Sequence, residues 1–173
     1  PLLANGRRQI PATSPVALVS WREIDTIALI DIEAREVVWA LTGLWKGQHE
    51  PVVTERGSIV VFDNRGLGEW SRIVEVDPVS QAAIWEYRGS PETPFSSMMG
   101  GAIHLLPNGN LFVVETTKGR AFEVTREKQI VWEYLSPHRI HEEEELVANL
   151  YDMVPVTAEE VPFIADLETH RGG

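Results

Sequence analysis

The sequence predicts an all-β fold, a β-propeller of four-stranded antiparallel blades, on three observations. A tryptophan closes each of three β-type runs, Val37-Val38-Trp39, Ala83-Ile84-Trp85 and Ile130-Val131-Trp132, at spacings of 46 and 47 residues. Two further β-type runs precede each: ALVSW and TIALIDIE, then SIVVF and RIVEVDP, then LFVVE and RAFEVTRE. The stretch 94–134 holds four such runs, GAIHL, LFVVE, RAFEV and IVWEY, separated by Gly, Asn and charged turn residues. A period of about 40–50 residues with four strands per repeat is the signature of propeller blades.

In chain order, residues 1–15 are an entry segment. Blade one occupies 16–43, with strands over 16–21, 26–32 and 37–41 and an innermost strand that is short or lies upstream. Blade two spans 48–89, with strands over 48–54, 58–62, 72–76 and 83–87. Blade three spans 94–135, and its Leu106-Pro107-Asn108-Gly109-Asn110 turn suits a hairpin because Asn and Gly accept the positive φ of tight turns. Ser136-Pro137 stops the last strand. The charged run 138–145 reads as a solvated turn, with an acidic recognition loop as the alternative. Residues 144–156 return to a strand-like pattern that suits the first strand of a further, partial blade, and the tail 157–173 is weakly patterned and expected to fray. Three blades and a part cannot close a ring, because a propeller needs at least four blades and each blade otherwise leaves an apolar face exposed. The expectation is a fragment of a larger, six-bladed propeller, completed by the rest of that propeller or by another copy.

Composition narrows the partners. At 173 residues and 43% hydrophobic the chain can bury a sizeable core. A formal charge of −11 argues against nucleic acid, whose phosphates need a dense basic surface. Small ligands or proteins fit better. Cysteine is absent, so there are no disulfides and no thiolate chemistry, which says little about compartment. No apolar run approaches the roughly 18 residues of a membrane span. The chain begins at Pro1 rather than Met, so an upstream segment, a signal peptide included, is compatible with it.

Strand alternation brings two kinds of loop to the same end of a blade: the link from one blade's outer strand to the next blade's inner strand, and the turn between a blade's second and third strands. Blade two's incoming link, 42–48, ends at His49, and its second-to-third turn, 63–71, carries Arg65. The corresponding positions supply Arg22 and Glu23 in blade one and Lys118 in blade three, with Arg120 nearby. An acidic protein thus gathers Arg22, His49, Arg65, Lys118 and Arg120 around one mouth. Such a cluster suits a small oxyanion: guanidinium offers a planar donor fork, and imidazole exchanges a proton near neutral pH. Ordinary loop ion pairs with Asp63, Glu23 and Glu115 are the alternative. Superposing blade three on blade two puts Gly101 on His49 and His104 on Val52, so His104 is expected to face the other side of its sheet, packed and hydrogen-bonded. His138 and His141 lie near four glutamates without an evident third ligand, so no metal site is expected. The tryptophans, with Tyr87 and Tyr134, sit on outer strands suited to packing between blades. No Gly-rich phosphate loop, nucleophile elbow or paired-Cys motif is present.

Several segments resemble the arylsulfotransferase-like β-propellers: Ser20-Trp21-Arg22-Glu23-Ile24-Asp25-Thr26-Ile27, Trp39-Ala40-Leu41-Thr42-Gly43, Gln48-His49-Glu50-Pro51, Phe62-Asp63-Asn64-Arg65-Gly66, Ser71-Arg72-Ile73-Val74-Glu75-Val76-Asp77-Pro78, and the Leu106–Asn110 turn with Gly119-Arg120-Ala121-Phe122-Glu123-Val124. The resemblance implies sulfuryl transfer from a phenolic sulfate ester to a phenol through a sulfohistidine, with no nucleotide sulfate donor, no cofactor and a periplasmic or secreted setting. It implies that His49 and Arg65 are catalytic; together with the strand count it makes Arg22, Asn64, Lys118 and Arg120 the candidates to bind the aryl sulfate or another anion. Where the resemblance leads one to expect the sulfate-carrying histidine, this chain has Thr116-Thr117-Lys118-Gly119-Arg120. A non-catalytic propeller that binds a small anion, an aromatic ester or a protein partner is the alternative.

Overall fold

The computed structural model describes residues 13–141 and 144–164. Its regular structure is almost wholly β: a three-stranded antiparallel sheet, two four-stranded antiparallel sheets and a two-stranded hairpin, with two single-turn 3-10 segments. Blade one is β1 (Val16–Trp21), β2 (Thr26–Asp31) and β3 (Glu36–Thr42). Blade two is β4 (His49–Val53), β5 (Ile59–Leu67), β6 (Trp70–Val76) and β7 (Ala83–Arg88). Blade three is β8 (Ala102–Leu105), β9 (Leu111–Glu115), β10 (Arg120–Val124) and β11 (Ile130–Leu135). Strands are neighbours in sequence order within each sheet.

Repetition extends to the backbone of the turns. The outer strand of each blade is entered through a left-handed residue, Arg35, Gln81 or Lys128, with φ of 57°, 58° and 70°. In blades one and two the turn before it is held by an aspartate: Asp31 Oδ1 accepts the N–H groups of Glu33 and Ala34, and Asp77 Oδ1 those of Val79 and Ser80. Blades one and three also share a turn type: a 3-10 turn over Arg22–Ile24, between β1 and β2 and closed by Asp25, matches one over Thr116–Lys118, between β9 and β10 and closed by Gly119, both closing residues being left-handed.

Blade two departs from this plan. The expected loop over 63–71 is instead a continuation of the hairpin, with β5 running to Leu67, β6 starting at Trp70, and the register shifting between Asp63 and Leu67. Innermost strand β4 departs too: His49 pairs with Phe62 but Val52 pairs with Val60, so one extra residue is accommodated, next to Glu50 at φ 44°.

Two apolar interfaces join the blades. Between blades one and two, Ile27 and Leu41 meet Ile59, Val61, Val74 and Val76, with Trp45 filling the join. Between blades two and three, Val60, Phe62, Ile73 and Tyr87 meet Ile103, Leu111, Val113, Phe122 and Val124. Phe95, from the link between those blades, is fully buried there, edge-on to Phe62 at 5.3 Å and to Phe122 at 5.4 Å between ring centres. Two of the three repeat tryptophans lie at these joins, as their spacing leads one to expect: Trp39 Nε1 donates to Pro78 O at 2.9 Å and Trp85 Nε1 to Arg126 O at 2.8 Å, each reaching into the following blade, whereas Trp132 is exposed and stacks on Phe112 of its own blade.

Beyond blade three the pattern differs from the expected strand over 144–156. Glu144–Val147 pairs with Arg139–His141 in the separate hairpin, so part of the charged run is extended chain, while residues 142–143 lie outside the described residues. From Ala148 the chain leaves regular structure and crosses the far face of blade three, where Leu150 and Met153 pack on Ala102, Phe112, Val114 and Ala121. Leu150 N–H donates to Thr116 O, and His104 Nε2 lies 2.8 Å from Asp152 Oδ1. Residues 1–12 of the entry segment and 165–173 of the tail also fall outside the described residues. No helix of the described residues is long and apolar enough to cross a membrane.

Candidate anion-binding mouth

The link from blade one to blade two is tied down almost residue by residue. Leu44 O accepts from Arg72 Nη2, Trp45 Nε1 donates to Asp25 O, and Lys46 N–H donates to Asp63 Oδ1 while Lys46 O accepts from Arg65 N–H. Gly47 N–H donates to Asp25 Oδ1 at 2.8 Å. Gln48 is fully buried, its Nε2 within 3.0–3.3 Å of Thr26 O, Ser20 Oγ and Trp21 O. Burial with backbone partners on both sides makes this a rigid shelf, and His49 stands at its end as the first residue of β4.

Asp63 organises the opposite wall. Its carboxylate is fully buried; Oδ1 accepts Lys46 N–H at 2.9 Å and Gly66 N–H at 2.8 Å, and Oδ2 accepts Arg72 Nε at 2.7 Å. A Cβ at Gly66 would fall inside that carboxylate, so the tight approach requires glycine. The next residue, Asn64, is 1% exposed. Its Nδ2 is 2.7 Å from both Ser97 O and Gly100 O, in the link from blade two to blade three, and its Oδ1 is 2.7 Å from His49 Nδ1.

The structure brings together two of the residues expected at the mouth, Arg22 and Arg65. A Cβ placed on Gly47, where φ is 59°, would lie 3.7 Å from Arg22 Nη2, 3.8 Å from Arg22 Cζ and 3.8 Å from Arg65 Cδ, so the two arginines flank this glycine, two residues before His49. Arg22 is half-buried and pairs with Glu23; Arg65 is exposed and has no ion-pair partner among the described residues. The pairings of blades one, two and three, Trp21 with Thr26, Asp63 with Arg72 and Glu115 with Arg120, make Arg22, Asn64 and Thr116 equivalent positions.

Lys118 and Arg120 are placed differently. Lys118 ends the 3-10 turn of blade three, exposed and without an ion pair among the described residues. Arg120 turns outward: Nε donates to Glu133 at 2.6 Å, Nη1 to Pro94 O and to Glu115, and its guanidinium lies 4.6 Å over the Phe122 ring. For Arg120 that is the loop ion pairing left open as the alternative. Burial raises the Glu115 pKa, against the lowering effects of Ser96 N–H, Arg120 and Lys118. Asn64 carries no free amide group toward the mouth, since both of its N–H donors and its carbonyl face protein partners.

The bulge at Glu50 also changes the comparison of histidines. By strand pairing, Ala102 rather than Gly101 holds the place of His49, and His104 holds that of Val52, so the expected opposite facing, which assumed an uninterrupted strand, does not hold. His104 is nonetheless hydrogen-bonded, to Asp152, and lies beside the Phe112 ring. Gly47, Ser97 and Gly100 were not singled out by sequence reasoning; the glycine just before Gln48-His49 was the available signal for the first, and nothing local marks the other two. Among the described residues no group of acids and histidines could hold a metal ion. Two clefts, of about 690 and about 840 Å³, lie elsewhere, the first beside Trp85 and Arg126, the second between His104 and residues 154–157; His49, Arg22 and Arg65 line neither.

Comparison with known proteins agrees with this architecture. Residues 9–137 match the family model described as arylsulfotransferase (ASST). No curated protein matches the chain. Among solved structures, virginiamycin B lyase from Staphylococcus aureus is similar at 16% identity and a TM-score of 0.50, over 73% of this chain and 40% of that one. A protein of unknown function from Bacteroides caccae is similar at 14% identity and a TM-score of 0.43, over 73% and 60%. BamB from Moraxella catarrhalis is similar at 15% identity and a TM-score of 0.46, over 76% and 35%. The lyase shares the β-propeller fold, and the match spans no more than 60% of the length of any of the three.

Proposed function

The chain belongs to the arylsulfotransferase family, and from that premise we propose that the mouth around Gly47 binds the sulfuryl group of a phenolic sulfate ester and promotes its transfer to a phenol. The observation that carries this reading is the convergence of Arg22 and Arg65 on Gly47, two residues from a half-buried His49. In the reaction the S–O bond to the donor phenol breaks and a new S–O bond forms to the acceptor. The acceptor gives up a proton and the departing phenolate takes one, so no oxidant or reductant is required. Guanidinium forks at Arg22 and Arg65 match the oxygens of the transferring group and offset the negative charge spread over them. His49 is the group at the mouth able to exchange a proton. Lys118 adds diffuse positive charge that draws an anion to an otherwise acidic protein.

A second reading has its own support. Blade three offers Thr116 at the position where blades one and two place Arg22 and Asn64, and the histidine expected to carry sulfate has no counterpart there. A propeller that binds the anion without turnover keeps the Arg22–Gly47–Arg65 arrangement. The two are separated by assaying the full-length protein for 4-nitrophenol release from 4-nitrophenyl sulfate with phenol as acceptor. The catalytic reading expects release that falls about 10²–10³-fold in Arg65→Ala and comparably in His49→Ala. Absence of release, or release unchanged in His49→Ala, rejects catalysis; sulfate binding that survives in the same preparation and is lost in Arg65→Ala then supports the binding reading.

A further inference from the structure

We propose that Asn64 is a positioning residue that holds His49 as its Nδ1–H tautomer, so that the ring atom left for the mouth is Nε2 with its lone pair. Asn64 is 1% exposed, so water does not compete for it, and its Nδ2 lies 2.7 Å from two backbone carbonyls, Ser97 O and Gly100 O. Those carbonyls can only accept. Reversing the amide would set Oδ1 against both at hydrogen-bond distance, three acceptors together with no proton between them, so the orientation is dictated by chemistry. Oδ1 must therefore face His49 Nδ1 at 2.7 Å, and since it too can only accept, Nδ1 carries the proton.

The carbonyls are themselves fixed. Ser97 N–H donates to Ser71 Oγ, and that hydroxyl donates to Asn64 O, closing a buried ring of hydrogen bonds around the amide. Gly100 and Gly101 have φ of 72° and 139°. A Cβ would strike Thr116 at the first and the Phe62 ring at the second. The tautomer of a blade-two histidine is thus set by the backbone of the link into blade three, across the blade interface.

For neutral His49 the consequence is that Nε2 accepts: it can take the acceptor phenol's proton, becoming imidazolium, or attack an electrophile, but it cannot donate to an oxyanion until the ring is protonated. What Nε2 does rests on the function proposed above; the tautomer does not. The test is the two-bond ¹H–¹⁵N spectrum of the ¹⁵N-histidine-labelled protein above the histidine titration range, with His49 assigned by its loss in His49→Gln. The expected spectrum shows a pyrrole-type Nδ1 and a pyridine-type Nε2 for His49; an Nε2–H tautomer or an even mixture overturns the inference, and needs no variant to be seen. Asn64→Leu removes the acceptor for Nδ1–H and is expected to lose the tautomer preference. An unchanged tautomer in Asn64→Leu removes Asn64 from the role. A wild-type Nδ1–H signature without aryl sulfate turnover supports the tautomer while rejecting catalysis.

Discussion

Asp63 holds the mouth together from underneath, although it never reaches the surface. Its buried carboxylate joins the Lys46 and Gly66 N–H groups to Arg72, and Arg72 carries the connection on to Leu44 O and Glu86. Removing one side of such a pair strands a partly buried guanidinium and two backbone donors. Asp63→Ala is therefore expected to lower stability by about 3–5 kcal/mol, read as a shift in urea midpoint, and to weaken sulfate binding although no contact with the anion is deleted. Glu115 behaves differently, since burial holds its pKa above the ordinary value near 4.5. A carboxyl with a raised folded-state value favours the folded state most when protonated. Its contribution is complete below its unfolded value and is lost as pH rises through the folded one. Comparing urea midpoints between pH 4 and 7 is expected to show Glu115→Gln gaining on the wild type as pH increases; a Glu115→Gln midpoint that falls relative to the wild type as pH rises would contradict this assignment.

At the scale of elements, the inter-blade tryptophans make the sharpest prediction. Trp85 combines the bond to Arg126 O with the Arg126 guanidinium 5.2 Å over its ring. Trp85→Phe keeps much of the apolar area and a weaker ring face for Arg126 but loses the hydrogen bond, an expected cost of about 1–2 kcal/mol in chemical denaturation. These tryptophans were legible because the same residue recurs on the outer strand three times at 46 and 47 residues, which stands out from chance, although the third, Trp132, is exposed and packs within its own blade. The elements that were not legible are those that break the repeat. The bulge at Glu50 and the prolonged β5–β6 hairpin each involve residues ordinary in type, and their backbone is set by what packs on them, not by local preference. The site followed the same division. Counting strands leads one to expect Arg22, His49 and Arg65 at one mouth, whereas Gly47 as the point flanked by the two arginines, and the Ser97 and Gly100 carbonyls behind Asn64, depend on contacts between segments distant in sequence. Arg120 was drawn away by Glu115 and Glu133, acids whose direction no periodicity reveals.

At the scale of the whole molecule, three blades stack through two apolar joins, and the third blade's far face is covered by the segment carrying Leu150 and Met153. That cover is attached to what it covers, so it acts at a local concentration set by a short tether, of the order of millimolar, regardless of how dilute the protein is. Any other surface that packs on Phe112, Val114 and Ala121 must outcompete it, and does so only as its own concentration approaches that figure. Weakening the cover with Leu150→Asp and Met153→Asp together is expected to turn a concentration-independent mass in light scattering into one that rises with protein concentration. The same packing that completes a buried face thus also sets a threshold for association.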